Sequence, residues 1–213
     1  MMSKNNIFYL VSLVLVLLVG WYLAINSQTT IILVRHAEKL GGNNPSLTDQ
    51  GQQRAENLIK TLSDAGVSAI YSTEFCRTAE TARPLADELE LIINVQSFDS
   101  PSAGLEDCSG LPDNYVVNLL DPQIASVADL ASQILQQHRG HTVLVAGHSN
   151  TVPALIEALE APSLCPGYFP LVDGECHIPD EASISQFDNL FVVRIPRFFG
   201  AVSLIRSKYN LTP

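Results

Sequence analysis

The chain has 213 residues, enough for one well-packed domain and an appendage, with 12 Lys and Arg against 22 Asp and Glu and a formal net charge of −10. That balance excludes nucleic acid and anionic lipid headgroups as charge-driven partners. It also makes any local gathering of cations informative.

The first feature in chain order is apolar. Residues 7–25, IFYLVSLVLVLLVGWYLAI, carry only Ser12 and Gly20 as interruptions, and no charge occurs between Lys4 and Arg35. As a helix such a run rises about 28 Å, close to the ~30 Å of a hydrocarbon core, and Trp21 and Tyr22 near its end suit a membrane interface. No amphipathic stripe marks it as an ordinary core helix. The expectation is an uncleaved transmembrane anchor at 7–25, with a cytoplasmic tip at 1–6, a linker at 26–29 and one domain at 30–213. A cleaved signal peptide is the rival reading. Against it stand the length of the run and the weak cleavage pattern Ala24-Ile25-Asn26. Lys4 and the terminal amine favour an N-in, C-out single-pass arrangement. The domain is then expected outside the cytoplasm, periplasmic or extracellular, and secreted if the segment is cleaved.

Beyond residue 30 strands and helices alternate. Residues 31–34 read as a strand. Helical spacing of Ala55, Leu58, Ile59 and Leu62 predicts a helix over 48–62 despite Gly51. A short strand at 68–71 precedes a helix at 77–89, which holds Pro84, and a strand at 91–95. A loop rich in Ser, Gly, Pro and Asp covers about 99–114. A helix at 127–138 leads to the buried-type strand 142–146, a helix at 153–159, and a closing pair of strands at 190–195 and 201–205. The alternation predicts an α/β three-layer sandwich, a mostly parallel central sheet flanked by helices, with the transmembrane helix added at the N-terminus.

Four cysteines fit an oxidising compartment. Cys165 and Cys176 bracket the Pro- and Gly-containing loop CPGYFPLVDGEC and are expected to form a disulfide. Cys76 and Cys108 offer a second, although sequence alone does not fix connectivity. Cys165, Cys176 and His177 as metal ligands lack a standard spacing and a fourth partner, so no metal or cofactor is expected.

Three strands end alike. Ile31 to Val34 runs into Arg35-His36, Ala69-Ile70-Tyr71 into STEFCRT, and Val143 to Ala146 into Gly147-His148-Ser149-Asn150. In a parallel sheet the carboxyl ends share one edge, where ligands bind. Two histidines and two arginines then converge in an otherwise acidic protein. Arginine forks pair with phosphoryl oxygens, and a neutral imidazole can attack phosphorus.

Four separated pieces, LVRHAEK (33–39), LTDQGQQRA (47–55), YSTEFCRTAETA (71–82) and VAGHSNTVP (145–153), resemble the histidine phosphatase superfamily, the phosphoglycerate-mutase-like proteins, in that family's order. SQFDNLFVV (185–193) is similar to the closing strand of its small bacterial members. The resemblance implies a metal-independent phosphatase in which His36 is the nucleophile and forms a phosphohistidine. Arg35, Arg77 and His148 are then implied to hold the phosphate and stabilise the transition state. The resemblance further implies a phosphorylated small molecule or a phosphoprotein as substrate, phosphohistidine included. Asn43 and Ser149 are further phosphate-binding candidates, although Asn43 lies in plain turn sequence and a Ser at a helix start is also an ordinary N-cap. A general acid is implied to follow the third strand. Glu106 is the first choice there and Asp99 the second, with Asp107 also available. Glu38 and Lys39 are expected only to pair at the rim, and Arg54 and Glu56 to pair on a helix face.

Three other readings compete. Gly147-His148-Ser149-Asn150-Thr151 nearly matches the nucleophile elbow of serine esterases, but Thr151 replaces the second glycine and His177 is the only later histidine. A membrane-tethered module that binds a phosphorylated ligand without turnover is the second. A phosphomutase is the third, in a chain with little length for a substrate-capping insertion. Sequence leaves the oligomeric state open.

Overall fold

The computed structural model describes residues 4–26, 28–98, 105, 108–165, 167, 169, 171–178, 186–197 and 200–209. Helix α1 (Lys4–Asn26) comes first. Among the described residues no helix is long and apolar enough to cross a membrane. This overturns the transmembrane helix expected at 7–25, and with it the single-pass topology and the placement of the domain outside the cytoplasm.

The rest is the expected α/β sandwich. Strands β1 (Gln28–Arg35), β2 (Val67–Thr73), β3 (Ile93–Gln96), β4 (Val117–Leu119), β5 (Thr142–Gly147), β8 (Asn189–Pro196) and β9 (Ser203–Lys208) form one sheet. Their order is β4-β3-β2-β5-β1-β8-β9. The first five of these in chain order pair in parallel, and β8 and β9 close the edge in antiparallel fashion. A separate hairpin joins β6 (Leu171–Val172) to β7 (Glu175–Cys176). Strand β1 starts at Gln28, inside the expected linker, because Thr29 and Thr30 already pair with β8. The sequence reading missed β4, a three-residue strand at the sheet edge with mostly exposed side chains, too short and polar to show a period.

Strand alternation decides the two faces. Ile31, Leu33, Tyr71, Val143 and Val145 point into one core with Leu130, Ile134, Leu155 and Ile156, from α4 (Val127–Gln137) and α5 (Thr151–Ala158). Ile32, Val34, Ile70, Leu144 and Ala146 point into the other with Leu58, Leu62, Leu85 and Ala86, from α2 (Asp49–Leu62) and α3 (Cys76–Glu88). Ile31, Leu33, Ile70 and Leu144 are fully buried, so truncating any one of them to Ala removes about 2–5 kcal/mol.

Helix starts follow local chemistry. Thr48 caps α2 by accepting from the Gly51 amide, and Ser126 with Asp129 forms a capping box on α4. Gly51, the apparent flaw in the predicted helix, is required by packing. A Cβ there would lie 2.1 Å from the Glu38 carbonyl oxygen, so only glycine lets the helix approach the segment that follows β1.

Candidate active site

The carboxyl ends of β1, β2 and β5 meet at one place. Arg35 is the last residue of β1, and the His36 amide donates to the Gly147 carbonyl at 2.8 Å, tying the ends of β1 and β5 together. The Ala37 amide donates to Thr81 Oγ1 of α3. Over this edge opens a cavity of about 620 Å³, lined by Arg35, His36, Arg77, His148 and Ser149 among others. The volume exceeds that of a phosphate several-fold and leaves room for the rest of an ester.

His36 is 3% exposed. Its Nδ1 lies 2.8 Å from the Ala37 carbonyl oxygen. A carbonyl only accepts, so that contact places the proton on Nδ1 and leaves the Nε2 lone pair free. Burial is the main reason its imidazolium form is disfavoured, pushing its pKa down to about 2. The Ala37 contact works the other way, and the charges of Arg35, His148 and Arg77 add to the lowering. His148 is lowered to about 3, again first by burial and then by Arg77 and Arg35. Burial contributes more to this neutrality than the neighbouring cations do.

The two imidazoles stand edge to face with centroids 5.5 Å apart. His148 Nε2 contacts Thr73 Oγ1 at 2.8 Å, and Thr73 Oγ1 contacts Thr78 Oγ1 at the same distance. With Nε2 engaged by Thr73, Nδ1 is the nitrogen left for a ligand. The His148 amide donates to Thr151 Oγ1, which fixes the loop between β5 and α5.

Aromatic rings hold the guanidinium groups. Arg35 Cζ lies 4.6 Å from the Phe187 centroid, and Arg77 Cζ 4.3 Å from that of Phe75. Phe75 also packs edge-on against His148, and Phe187 lies tilted against His36. Such stacking orients a planar cation while leaving its N–H fork available. Arg77 Nε is enclosed and has no hydrogen-bond partner among the described residues. A buried donor of this kind calls for an anion or an equivalent acceptor.

Below the cavity a buried carboxylate organises the loops. Glu80 accepts from the Leu47 amide at 2.7 Å and the Gly110 amide at 3.0 Å. Asn44 accepts from the Cys76 amide, and Cys76 is joined to Cys108 by a disulfide of 2.03 Å. The start of α3, which carries Arg77, is thus fastened on two sides.

The expected residues do not all arrive. Asn43 is exposed and lies outside the cavity lining, while its neighbour Asn44 takes the structural role. Ser149 lines the cavity, but Asn150 is the cap of α5, and the Ser149 carbonyl accepts from Ile178. No hydrogen bond joins Ser149 Oγ to a histidine among the described residues, as an esterase elbow requires. Glu106, Asp99 and Asp107 lie outside the described residues. Cys165 and Cys176 are joined at 2.05 Å, which removes them as metal ligands, and His177 Nε2 sits 3.2 Å from Glu175. Glu38 pairs with Arg54 through two guanidinium nitrogens, Nε and Nη2, rather than with Lys39, because Arg54 is buried beneath it. Sequence reading missed Thr73, Glu74, Phe75 and Phe187. The first three sit inside a quoted motif, where a hydroxyl, an acid and a ring beside an arginine were signals left unused. Phe187 reaches the site only through the fold.

The neutral histidines carry a stability consequence. Between their depressed values and 6.5 an unfolded chain binds protons that the folded chain does not. Their contribution is therefore complete above about pH 6.5 and is lost as pH falls toward 3. The loss amounts to at most about 1.4 kcal/mol per pH unit for each histidine. In thermal melts of the ligand-free protein from pH 7 to 4, a His36→Gln, His148→Gln double variant is expected to show a clearly shallower decline than wild type.

The chain is similar to known proteins in sequence and in fold. The family described as histidine phosphatase superfamily (branch 1) matches residues 31–98. A 2,3-bisphosphoglycerate-dependent phosphoglycerate mutase of Bartonella henselae is 25% identical over 171 residues, covering 62% of this chain and 82% of the relative. Among solved structures, one described as an alpha-ribazole-5'-P phosphatase from Escherichia coli K-12 superposes with a TM-score of 0.53 at 19% identity, covering 84% of this chain and 96% of that one. A mycobacterial glucosyl-3-phosphoglycerate phosphatase gives 0.53 at 15% identity, covering 87% and 100%. At such identities these two structures speak for the fold alone.

Proposed function

We propose, for a chain of the histidine phosphatase superfamily by its motifs and by the match over residues 31–98, that it hydrolyses a phosphate monoester or a phosphohistidine through a covalent intermediate at His36. The observation that carries this reading is the state of His36. It is buried and neutral, with its proton fixed on Nδ1 by the Ala37 carbonyl, and it shares a cavity with Arg35, Arg77 and His148. The free Nε2 pair attacks phosphorus. The two guanidinium groups and His148 take the equatorial oxygens, whose charge grows in the transition state. Ser149 at the same edge is an additional donor. Side chains supply the positive field, so this reading needs no metal.

The test is a panel of alkyl and aryl phosphate monoesters and a phosphohistidine peptide, with rapid acid-free quenching and mass mapping of the protein. Turnover inhibited by vanadate, with a transient acid-labile phosphoryl group on His36, is the expected result. Phosphate release with no label on any histidine would exclude the covalent route. Phosphate binding without turnover on any ester would favour the binding-module reading instead.

A further inference from the structure

The geometry points to Glu74 as the proton donor to the departing oxygen, a role that rests on the phosphatase reading above. Glu74 follows directly on β2, one residue after the Thr73 that engages His148 and three before Arg77. It lines the cavity that holds His36, and it is the one carboxylate among the described residues that do so. It is 3% exposed, and its charge acts on Arg77. Acidic side chains are rarely buried to that extent without a task, and a carboxylate on the wall of an anion pocket opposes the pocket's own charge. Ground-state phosphate binding alone gives no reason for it; proton transfer does.

The proton arrives with the substrate. A phosphate monoester has its second ionisation near pH 6, so its monoanion carries a proton into the cavity that Glu74 lines. In the first step His36 Nε2 forms a bond to phosphorus while the ester P–O bond breaks. The electron pair left on oxygen takes the Glu74 proton, so an alcohol departs and a carboxylate remains. In the second step water attacks the phosphohistidine phosphorus and the N–P bond returns its pair to Nε2. The proton lost by water restores Glu74. One carboxyl group thus acts first as acid and then as base.

The experiment compares Glu74→Gln with wild type on an alkyl phosphate and on p-nitrophenyl phosphate, whose leaving group needs little protonation. The expected result is a loss of kcat of about 10²- to 10⁴-fold on the alkyl ester, a small loss on the nitrophenyl ester, and an unchanged vanadate inhibition constant. Glu74→Asp, which keeps the acid, is expected to recover part of the alkyl activity, and a thermal melt checks that each variant folds. An equal loss on both esters, with weakened vanadate inhibition, would mean that Glu74 only positions Arg77, and would overturn the assignment. So would no loss at all, or the same selective loss in Glu106→Gln or Asp99→Asn with Glu74→Gln unaffected. If wild type and His36→Ala are equally inactive on both esters, the phosphatase reading itself fails and this role falls with it. Activity on both esters with a uniform Glu74→Gln effect overturns this role alone.

Discussion

Replacement of His36 by alanine is expected to abolish turnover, by about 10⁴-fold or more in kcat, with the fold and vanadate binding preserved. The size follows from the proposed route. Without a nucleophile the two-step path closes, and direct attack by water is left with only the charge stabilisation of the pocket, the pattern seen when a nucleophile is removed from an intact stabilising site. Binding survives because Arg35, Arg77 and His148 come from three different segments and each keeps a partner other than the imidazole. Arg35 is held by Phe187, Arg77 by Phe75, and His148 by Thr73. Removal of a buried imidazole that sits 3% exposed leaves a void, so a modest fall in melting temperature accompanies the loss. Single-turnover assays with vanadate titration of the same preparation check both halves. A variant that retained a tenth of wild-type activity would move the nucleophile elsewhere.

Arg77→Ala is expected to lower kcat/KM by about 10²- to 10³-fold, the usual cost of deleting one donor aimed at developing negative charge. Unlike the His36 change, it should raise the vanadate inhibition constant by a comparable factor, since vanadate resembles the pentacoordinate state. Arg77→Lys separates charge from shape. Lysine keeps the cation but loses the planar fork and its stacking on Phe75, so it should recover only a small part of the activity. Arg77 suits the test because its enclosed Nε has no partner among the described residues. The variant therefore removes no structural hydrogen bond made by that atom.

Much of this site was legible because its signals are local. Arg35 and His36 end a run of four buried aliphatic residues, and His148 ends another; a parallel sheet then places both on one edge without further information. The two cores could also be read, since Ile31 and Leu33 alternate with Ile32 and Val34. What could not be read is what depends on distance. Arg54 looks like any arginine on a helix face, and only the close approach allowed by Gly51 puts it under Glu38. Phe187 looks like one more hydrophobe, yet the antiparallel return of β8 past β1 delivers it to Arg35. The apolar stretch at 7–25 misled in the opposite direction. Composition and length suggested a membrane span, but among the described residues no helix is long and apolar enough to make one.

The place of β1 in the sheet has a temporal meaning. The strand that presents Arg35 and His36 emerges from a ribosome early, but its neighbours on both sides, β5 and β8, lie more than a hundred residues downstream. At about 5–20 residues per second the nascent β1 waits several seconds before either flank exists, with Ile31 to Val34 unpaired on two edges and two faces. Loops of that length close slowly, and an unpaired aliphatic strand is a template for the wrong partner. The cationic site is therefore completed late, and a chain halted before residue 190 would carry His36 on a β1 flanked by β5 but not yet by β8.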